Sequence, residues 1–437
     1  MTQEIRFDQL GLDARLIAAV TESGYTHPTP VQAQAIPAVL AGTDLLVSSR
    51  TGSGKTAAFM LPALHRLANN TASGRGPRVL VLSPTRELAT QITDAARKYS
   101  GQLKQVRTVS ILGGMPYPVQ NRMLSKPYEI LVATPGRLID QMSSGRVDLS
   151  RVEMLVLDEA DRMLDMGFIE DVERIAAATP AGRQTLLFSA TMDKEIIRLS
   201  RDLLRDPTRI EATSQKASHE NIDQRLHYVD NLAHKNRLLA HLLRDIELNQ
   251  AIVFTATKRD ADALASDLTG QGHAAAALHG DMHQGARNRT LEGLRRGRFR
   301  VLVATDVAAR GIDVPGISHV INYDLPKMAE DYVHRIGRTG RAGNKGIAIS
   351  LASGRDLVQL QRIERFTGKS ITVHTIEGFE PKAPIRPQPQ ASKGRRPGGR
   401  PQQPGGRTEG RPARNGNNPG PWFKNERGTQ ARKRMGG

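Results

Sequence analysis

Short apolar runs alternate with longer amphipathic stretches along most of this chain. In the first half the strand-like runs are Leu45–Val47, Val79–Leu82, Val109–Leu112, Ile130–Ala133, Met154–Leu157 and Thr185–Phe188. Helical periodicity fills the intervals between them, for example at Arg86–Tyr99 and Glu195–Leu204. Runs that are apolar on both faces and alternate with helices are typical of buried parallel strands. The pattern therefore predicts an α/β fold built on a parallel sheet.

This alternation is interrupted once and then resumes. The segment 207–221 includes the polar stretch TSQKASHEN, which has no apolar face and is typical of a linker. Beyond it the strand-like runs are Arg225–Val229, Ile252–Phe254, Ala275–Leu278, Val301–Ala304, His319–Asn322 and Gly346–Leu351. We therefore predict a first α/β domain at 1–206, a linker at 207–221, a second domain at 222–379 and a tail at 380–437. No sequence repeat is strong enough to establish that the two domains arose by duplication.

The tail differs from the rest of the chain in composition and charge. The whole chain has 62 Lys and Arg against 44 Asp and Glu, a net charge of +18, and residues 381–437 hold 14 of the bases but only two of the acids. With 10 Pro, 11 Gly and almost no aliphatic residues in those 57 positions, the tail cannot bury a core, so disorder is expected. Such a charge favours a polyanionic partner. A nucleic-acid-binding tail and a merely solubilising one both remain open.

Other features of composition exclude some classes of protein. The sequence lacks cysteine, which removes disulfides and thiolate metal sites, and it has no apolar run of about 20 residues that could span a membrane. No export signal is visible at the N-terminus, so a cytoplasmic location is expected. The only tryptophan, Trp422, stands beside Phe423 in the basic tail. Its position there is open to three interpretations: base stacking, an anchor for a peptide, and chance.

A glycine-rich turn follows the first predicted strand. Residues 49–56 read SRTGSGKT and precede a helical stretch. In such a turn the backbone N–H groups point at phosphates, Lys55 supplies a charge for the β- and γ-phosphates, and the Thr56 hydroxyl suits Mg²⁺. An ordinary surface turn is the alternative. The phosphate-binding set is Ser49, Arg50, Thr51, Gly52, Ser53, Gly54, Lys55 and Thr56.

An apolar strand ending in acids follows about 100 residues later, in the stretch VEMLVLDEAD at 152–161. Carboxylates at the end of a buried strand are costly unless they serve a ligand. Asp158 is predicted to hold Mg²⁺, and Glu159 is predicted to be the base that deprotonates the attacking water. The alternative is an acidic first turn of a helix.

With Asp158, Glu159, Ala160 and Asp161 in sequence, the chain resembles the DEAD-box family of ATP-dependent RNA helicases over roughly residues 5–377. The resemblance implies two RecA-like domains in tandem with ATP and Mg²⁺ as cofactors. The stretch 24–32 (GYTHPTPVQ) matches the family's adenine-reading motif, in which Gln32 reads adenine and Tyr25 stacks, with Phe7 as the upstream aromatic. Ser49 and Arg50 stand where the family more usually has Ala and Gln. The stretch DEADRMLDMGF and the tail point to the RhlE-type branch.

The resemblance also implies RNA contacts and coupling residues in the first domain. The stretches 84–89, 113–114 and 134–137 each lie just after a predicted strand. Their glycines and forked arginine donors suit close approach to phosphates. The implied RNA-binding residues there are Pro84, Thr85, Arg86, Gly113, Gly114, Thr134 and Arg137. Ser189 and Thr191 are implied to form a hydroxyl relay that hydrogen-bonds Asp161 and links the ATP state to strand separation.

The second domain carries two long matches to family motifs, at 305–313 (TDVAARGID) and 334–341 (HRIGRTGR). Arg338 and Arg341 correspond to arginine fingers that reach the γ-phosphate, since a guanidinium can meet two of its oxygens. Asp313 is implied to hold the ribose of ATP, and His334 to be a coupling residue. The implied RNA contacts on this side are Thr305, Gln284 and Arg287. A solvated basic face is the alternative for the arginine cluster.

The expected function is therefore ATP hydrolysis coupled to RNA binding and local strand separation, or to remodelling of ribonucleoproteins. An ATP-gated RNA clamp with little unwinding, a DNA-directed translocase and a non-enzymatic RNA chaperone are the competing hypotheses. RNA is the implied partner, with no membrane partner. Proteins of RNA decay or ribosome assembly are further expected partners, through the tail.

Overall fold

The computed structural model describes residues 5–49, 52–69, 74–211, 221–245, 248–309, 314, 316–340 and 344–382. Helices and strands alternate along the first domain, as the hydrophobic pattern predicts. A 3₁₀ helix at Phe7–Leu10 comes first. The helices are α1 Ala14–Glu22, α2 Pro30–Leu40, α3 Lys55–Asn69, α4 Arg86–Tyr99, α5 Tyr117–Leu124, α6 Pro135–Ser143, α7 Ala160–Asp165, α8 Ile169–Ala177 and α9 Lys194–Leu203. The strands are β1 Leu45–Ser48, β2 Val79–Leu82, β3 Thr108–Ile111, β4 Ile130–Ala133, β5 Met154–Leu157, β6 Gln184–Ser189 and β7 Thr208–Glu211.

The second domain repeats this alternation. Its helices are α10 Leu232–Leu242, α11 Lys258–Gly270, α12 Gln284–Arg295, α13 Asp306–Ala309, α14 Ala329–Ile336 and α15 Leu357–Thr367. Its strands are β8 Ile222–Tyr228, β9 Gln250–Phe254, β10 Ala275–Leu278, β11 Val301–Ala304, β12 Ile317–Asn322, β13 Gly346–Ala352 and β14 Thr372–Val373.

The described strands form two parallel seven-stranded sheets with the same order of strands. The first sheet runs β3-β4-β2-β5-β6-β1-β7 and the second runs β10-β11-β9-β12-β13-β8-β14. Counted from the start of each domain, both orders are 3-4-2-5-6-1-7. Because parallel strands all end at one edge of a sheet, the loops that follow β1, β5 and β6 lie side by side.

Helices cover both faces of the first sheet, and its strands alternate between the two cores. On β2, Val79 and Val81 pack into the core formed with α1 to α4, while Leu80 and Leu82 pack into the core formed with α6 to α9. Fully burying one such side chain contributes about 1.5–3 kcal/mol. The two cores therefore hold the sheet rigid and fix the loops at its carboxyl edge.

The structure corrects one predicted boundary and adds two strands. The first sheet does not end at residue 206, because β7 pairs with β1 inside the segment 207–221 that was expected to be linker. Only Ile210 of β7 is buried, so the sequence shows no apolar run there. The two-residue β14 is likewise an exposed edge strand beside β8. The twelve other strands all overlap predicted runs.

Candidate functional site

The glycine-rich turn leaves β1 and leads directly into α3. Ser49 continues the sheet hydrogen bonding, since its N–H donates to the Ser189 carbonyl at 2.9 Å. Gly52 and Gly54 have φ of 84° and 88°, a left-handed conformation that glycine adopts without strain. The turn therefore brings backbone amides to the N-terminus of a 15-residue helix, an arrangement suited to phosphates. Arg50 and Thr51 lie outside the described residues.

Lys55, the first residue of α3, is buried beside this loop. Its ammonium donates to the Ser49 carbonyl at 3.3 Å and lies 3.8 Å from Oδ1 of Asp158. Asp158 directly follows β5 and is 1% exposed. Burial raises the pKa of Asp158 to about 6; Lys55 opposes this effect and Glu159 adds to it. A cation and a carboxylate thus meet where the loop would hold phosphates.

Asp158 and Thr56 also fit a magnesium ion. Oδ1 of Asp158 is buried without a hydrogen-bond partner, so it is free to accept from a metal-bound water. Thr56 is the second residue of α3 and offers a hydroxyl oxygen near the same loop. Oxygen ligands of this kind are those that Mg²⁺ prefers. Among the described residues no group of three or more His, Cys, Asp or Glu could hold a metal by itself.

Glu159 is held in a strained backbone conformation. It has φ 55° and ψ 54°, and Asp206 is the only other non-glycine residue with positive φ in the described part of the chain. Such a conformation costs about 1–3 kcal/mol and is concentrated at functional sites. Its buried carboxylate lies 3.2 Å from Nε of Arg162, and Oε2 accepts no hydrogen bond. The strained turn therefore places a buried carboxylate directly after Asp158.

The adenine-reading stretch is joined to the phosphate loop through side chains. Thr29 caps α2 and donates its hydroxyl to the Ser53 carbonyl at 2.8 Å. Gln32 accepts from the Thr29 N–H at 2.9 Å and donates to the Gly54 carbonyl at 3.0 Å. Gly54 has a positive φ that other residues rarely adopt, and a Cβ there would overlap the Gln32 amide nitrogen, so only glycine fits. Gln32 is thus placed directly against the loop, and its reading of adenine stays a prediction.

The two aromatic residues predicted for this site differ in exposure. Phe7 is buried in the core of the first domain. Tyr25 is 52% exposed, and the Lys98 ammonium lies 5.6 Å from the centre of its ring. Tyr25 is therefore available to stack on a ligand, whereas Phe7 supports the motif from within.

The contact between Asp161 and the end of β6 uses different atoms from those expected. Oδ2 of Asp161 accepts the backbone N–H of Ala190 at 3.1 Å. The Ser189 hydroxyl is buried and has no hydrogen-bond partner, and none is described between Thr191 and Asp161. Burial raises the pKa of Asp161, with Lys55 opposing. The segment 189–191 is coupled to Asp161 through its backbone, so the expected hydroxyl relay is not formed in this structure.

The predicted RNA contacts of the first domain form one connected surface after β2, β3 and β4, which are neighbours in the sheet. Gly113 donates its N–H to the Thr134 hydroxyl at 3.2 Å. A Cβ on Gly114 would overlap the guanidinium of Arg86. Arg137 donates to the Met115 carbonyl at 2.9 Å and stacks 4.2 Å from the ring centre of Tyr117. Pro84 and Thr85, which caps α4, are buried at the start of this surface.

Side chains from both domains meet beside this surface. Arg86 donates to Oε1 of Gln284 at 3.0 Å. Arg287 donates to Oε1 of Glu87 through Nε at 2.8 Å and through Nη2 at 2.5 Å, and both residues are less than one-tenth exposed. Arg287 also donates to the carbonyls of His279 and Ala308. In this structure Arg287 therefore ties the two domains together, and its contact with RNA stays a prediction.

The two motifs of the second domain are clamped together by an ion pair. Arg335 donates to both oxygens of Asp306 at 2.5 and 2.7 Å and lies 4.8 Å from the ring centre of Phe254. His334 and Arg338 line the same small cavity, together with Arg162 from the first domain. Thr305 is buried and caps α13 with its carbonyl. The remaining predicted residues of these motifs, Asp313 and Arg341, lie outside the described residues.

Three charged residues at the site were missed by the sequence reasoning: Glu87, Arg162 and Arg335. Each lies within or beside a stretch that was identified, but its role depends on a partner far away in sequence. The complementary pair of Asp306 and Arg335, one in each second-domain motif, could have been proposed from charge alone.

Comparisons with known proteins agree with this geometry. Residues 29–199 match the DEAD/DEAH box helicase model, and residues 234–343 match the helicase conserved C-terminal domain. The ATP-dependent RNA helicase SrmB of Escherichia coli K12 is 44% identical over 378 residues, covering 86% of this chain and 85% of SrmB. DeaD of Mycobacterium tuberculosis H37Rv is 45% identical over 366 residues, covering 84% of this chain and 64% of DeaD.

Solved structures share the arrangement of both domains. Dbp5 of S. cerevisiae bound to RNA and ADP BeF3 superposes with a TM-score of 0.77 at 32% identity, covering 86% of this chain and 95% of that one. Mss116p bound to ssRNA and AMP-PNP gives 0.79 at 28% identity, covering 88% and 80%. Fold and site define a nucleoside triphosphatase with two RecA-like domains. The chain belongs to the DEAD-box family of ATP-dependent RNA helicases. Its placement in the RhlE-type branch stays a prediction.

Proposed function

We propose that ATP is hydrolysed between the two domains when RNA lies across both of them, and that this closure separates short RNA duplexes. The observation that carries the proposal is the joining of two sets of motifs at one sheet edge. The phosphate loop follows β1 and Asp158 follows β5, while the surface of predicted RNA contacts that includes Arg86 follows the neighbouring strands β2 to β4. ATP and RNA would therefore bind at the same edge of one rigid sheet and contact the same second domain.

The proposed binding of ATP uses groups of the first domain for the phosphates and the base. The amides at 52–54 and Lys55 would hold the phosphates, Gln32 would pair with the edge of adenine, and Tyr25 would stack. The Gln32 amide donates to the Gly54 carbonyl, which supports a link between base recognition and the shape of the phosphate loop. Ser49 and Arg50 would tune the affinity for ATP, and Asp313 would hold the ribose.

Glu159 is proposed as the general base. Its carboxylate would take a proton from the water that attacks the γ-phosphorus, and the bond to the leaving ADP oxygen would break as the new P–O bond forms. The strained backbone supports this role, and Oε2 of Glu159 is buried without a hydrogen-bond partner, so it is free to accept a proton. Asp158 and Thr56 would hold Mg²⁺, which supplies positive charge to the β- and γ-phosphate oxygens.

Arg338 and Arg341 are proposed to complete the site from the second domain. A guanidinium can meet two of the three oxygens over which the transferring phosphoryl group spreads its charge. The pairing of Arg335 with Asp306 supports this role, because it fixes the start of the segment that carries Arg338. Hydrolysis would then depend on the approach of the two domains. Asp161, Ser189, Thr191 and His334 are proposed to couple that approach to the RNA side.

RNA is proposed to bind along the surface made by Arg86, Gly113, Gly114, Thr134 and Arg137 and to continue onto Gln284, Arg287 and Thr305. The contacts from Arg86 to Gln284 and from Glu87 to Arg287 support a shared surface, because they bring both halves together. A strand held and bent across this junction would expel its complement. The domain bounds remain a proposal, with the first domain extended through β7.

Two assays on the full chain test this function. Unwinding of a short RNA duplex, measured together with ATP consumption, should be lost when ATP is omitted. RNA-stimulated ATPase without any strand separation would favour an ATP-gated clamp instead. Equal stimulation by DNA of the same sequence would favour a DNA translocase.

Helical segments long and apolar enough to cross a membrane are not found among the described residues. Cytoplasmic location and protein partners of the tail stay predictions.

A further inference from the structure

An open cavity of about 600 Å³ lies on the first domain at the amino-terminal edge of its sheet. Its lining comes from the residues just before β5, β6 and β7 and from the end of α3. The phosphate loop and Asp158 lie at the other ends of the same sheet's strands. The cavity is therefore separate from the ATP site, and no motif of the family falls within it.

The lining is strongly cationic. Four arginines from four separate segments face the cavity: Arg66, Arg151, Arg183 and Arg205. Glu153 is the only acid among the described residues of the lining, and it already accepts two hydrogen bonds from Arg78, at 2.6 and 3.0 Å. Asp44 lies close by, but its oxygens accept the backbone N–H groups of Thr185 and Arg205. The carboxylates of Glu153 and Asp44 cannot neutralise the guanidinium groups of Arg78 and the four lining arginines together.

Hydrogen bonds within the protein hold Arg66 and Arg205 in place. Arg66 donates to the carbonyl of Glu153 and to Oε1 of Gln184, and Arg205 donates to the carbonyl of Arg183 at 2.6 Å. Nε of Arg183 is buried and has no hydrogen-bond partner. A buried donor without an acceptor is costly, and an anion in the cavity would remove that cost.

The arginines also disfavour each other's charge. Burial lowers the pKa of Arg183; Asp44 opposes this, and the charge of Arg205 adds to it. Burial likewise lowers the pKa of Arg66, where Glu153 opposes and Arg78 adds. Like charges gathered in this way without a ligand destabilise the fold, as is common where a protein keeps residues for binding.

We propose that this cavity binds a small ligand carrying several phosphate groups. Its volume is in the range of small-molecule sites, roughly 300–1,000 Å³. Guanidinium forks match phosphate oxygens, and several of them suit a chain of phosphates better than a single one. The lining contains no aromatic side chain on which a base could stack, so the recognition rests on the phosphates.

Titration of inorganic tripolyphosphate into the full chain, followed by calorimetry at about 0.15 M salt, tests the site. Saturating ADP is present throughout so that the phosphate loop is occupied. Arg183→Gln and Arg205→Gln should each weaken binding by about tenfold or more, since each removes a charged donor. Arg237→Gln, which removes an exposed arginine of α10, is the matched control and should bind as the wild type does. RNA-stimulated ATP hydrolysis should be unchanged in all three.

Thermal melting provides the second measurement. Without tripolyphosphate, the two cavity variants should melt at or above the wild-type temperature, because one of the mutually repelling charges is gone. With tripolyphosphate, the wild type should gain more stability than either variant. Equal tripolyphosphate affinity in all four proteins would overturn the proposal. It would also be overturned if the cavity variants lost RNA affinity alone, or melted lower while tripolyphosphate failed to stabilise the wild type.

Discussion

The two sheets carry the same kind of ion pair at equivalent positions, but only one of the two pairs lies beside a glycine-rich loop. In the first domain Lys55 follows the first strand and Asp158 follows the fifth, with 3.8 Å between them. In the second domain Lys235 lies in the helix after the first strand and Asp324 follows the fifth, with 2.7 Å between them. The shared strand order brings a lysine and an aspartate together in both.

The difference lies in what surrounds each pair. Lys235 also lies 4.1 Å from the ring centre of Tyr323, and Asp324 accepts the N–H of Ala256 at 2.8 Å, so this pair is fully used within the protein. In the first domain six residues with two left-handed glycines separate β1 from α3, and Oδ1 of Asp158 has no hydrogen bond. The same topology therefore leaves a carboxylate oxygen unpaired in the first domain and uses the equivalent carboxylate within the protein in the second, according to the loop.

The largest effect is expected at Arg338, through which the second domain is proposed to act on ATP. Arg338→Ala should lower RNA-stimulated hydrolysis by about 10³–10⁵, the range for arginine fingers in other phosphoryl-transfer enzymes. ATP binding should largely persist, because the groups proposed to hold the phosphates and the base are in the first domain. Single-turnover hydrolysis and fluorescent-nucleotide binding measure the two effects, with Arg237→Ala as the exposed control. Loss of RNA affinity with unchanged hydrolysis per bound RNA would reject the finger.

Glu159→Gln should lower hydrolysis by about 10²–10⁴, since the amide cannot take the proton of the attacking water. Size and shape are kept, so ATP and RNA should still bind and the closed complex should accumulate. Turnover and RNA retention in the presence of ATP measure this. Hydrolysis at the wild-type rate would remove Glu159 from the role of base.

The two lysines provide the most direct comparison of the domains. Lys55→Met should lower hydrolysis by about 10²–10³, the effect of removing one preorganised donor to developing charge. Lys235→Met should leave hydrolysis nearly unchanged and lower only thermal stability, because its partner Asp324 is then left half-buried without a cation. ATPase rates and melting curves of both variants test this. Equal losses of hydrolysis would contradict the division of roles between the domains.

The bridge between Glu87 and Arg287 should show coupling. Removing either partner leaves the other charge buried, so Glu87→Gln and Arg287→Gln should each reduce RNA-stimulated hydrolysis while ATP binding without RNA is kept. The double variant should be less impaired than the sum, with a coupling energy of about 0.5–3 kcal/mol. A double-mutant cycle on the ATPase rate measures this. Strictly additive losses would mean that the two side chains act independently.

The smallest effect on catalysis is expected for the tail. Deleting residues 383–437 removes thirteen of the bases and two acids but no predicted catalytic residue. Hydrolysis at saturating RNA should persist, whereas the slope of log affinity against log salt should flatten by about 3–4 if four to six tail cations contact phosphates. RNA affinity across a salt series measures it. An unchanged slope would make the tail a spacer or a protein-docking segment.

The hydrophobic pattern predicted most of the fold because buried parallel strands are apolar on both faces. α4 begins and ends where its periodicity predicts, at Arg86–Tyr99. β7 was not predicted, because only Ile210 of its four residues is buried. The strand order that the two sheets share could not be predicted from the sequence either. The two domains keep the same pattern of burial, but the identities of their residues differ.

Site residues were predictable where the chemistry is local in sequence. The phosphate loop and the acids after β5 each act as a short segment. Glu87 and Arg287, by contrast, are 200 positions apart and meet only when the two domains are packed together. The backbone contact from Ala190 to Asp161 likewise could not be predicted, because any residue at position 190 other than proline would supply the same N–H.

Hydrolysis at the first domain's loop is proposed to require RNA lying across both domains. This requirement is tested by the rate of ATP hydrolysis by the full chain at saturating ATP, measured with and without saturating single-stranded RNA. We predict a low rate alone, stimulation of about tenfold or more by RNA, and no comparable stimulation by DNA of the same sequence. The same rate with and without RNA would contradict the account.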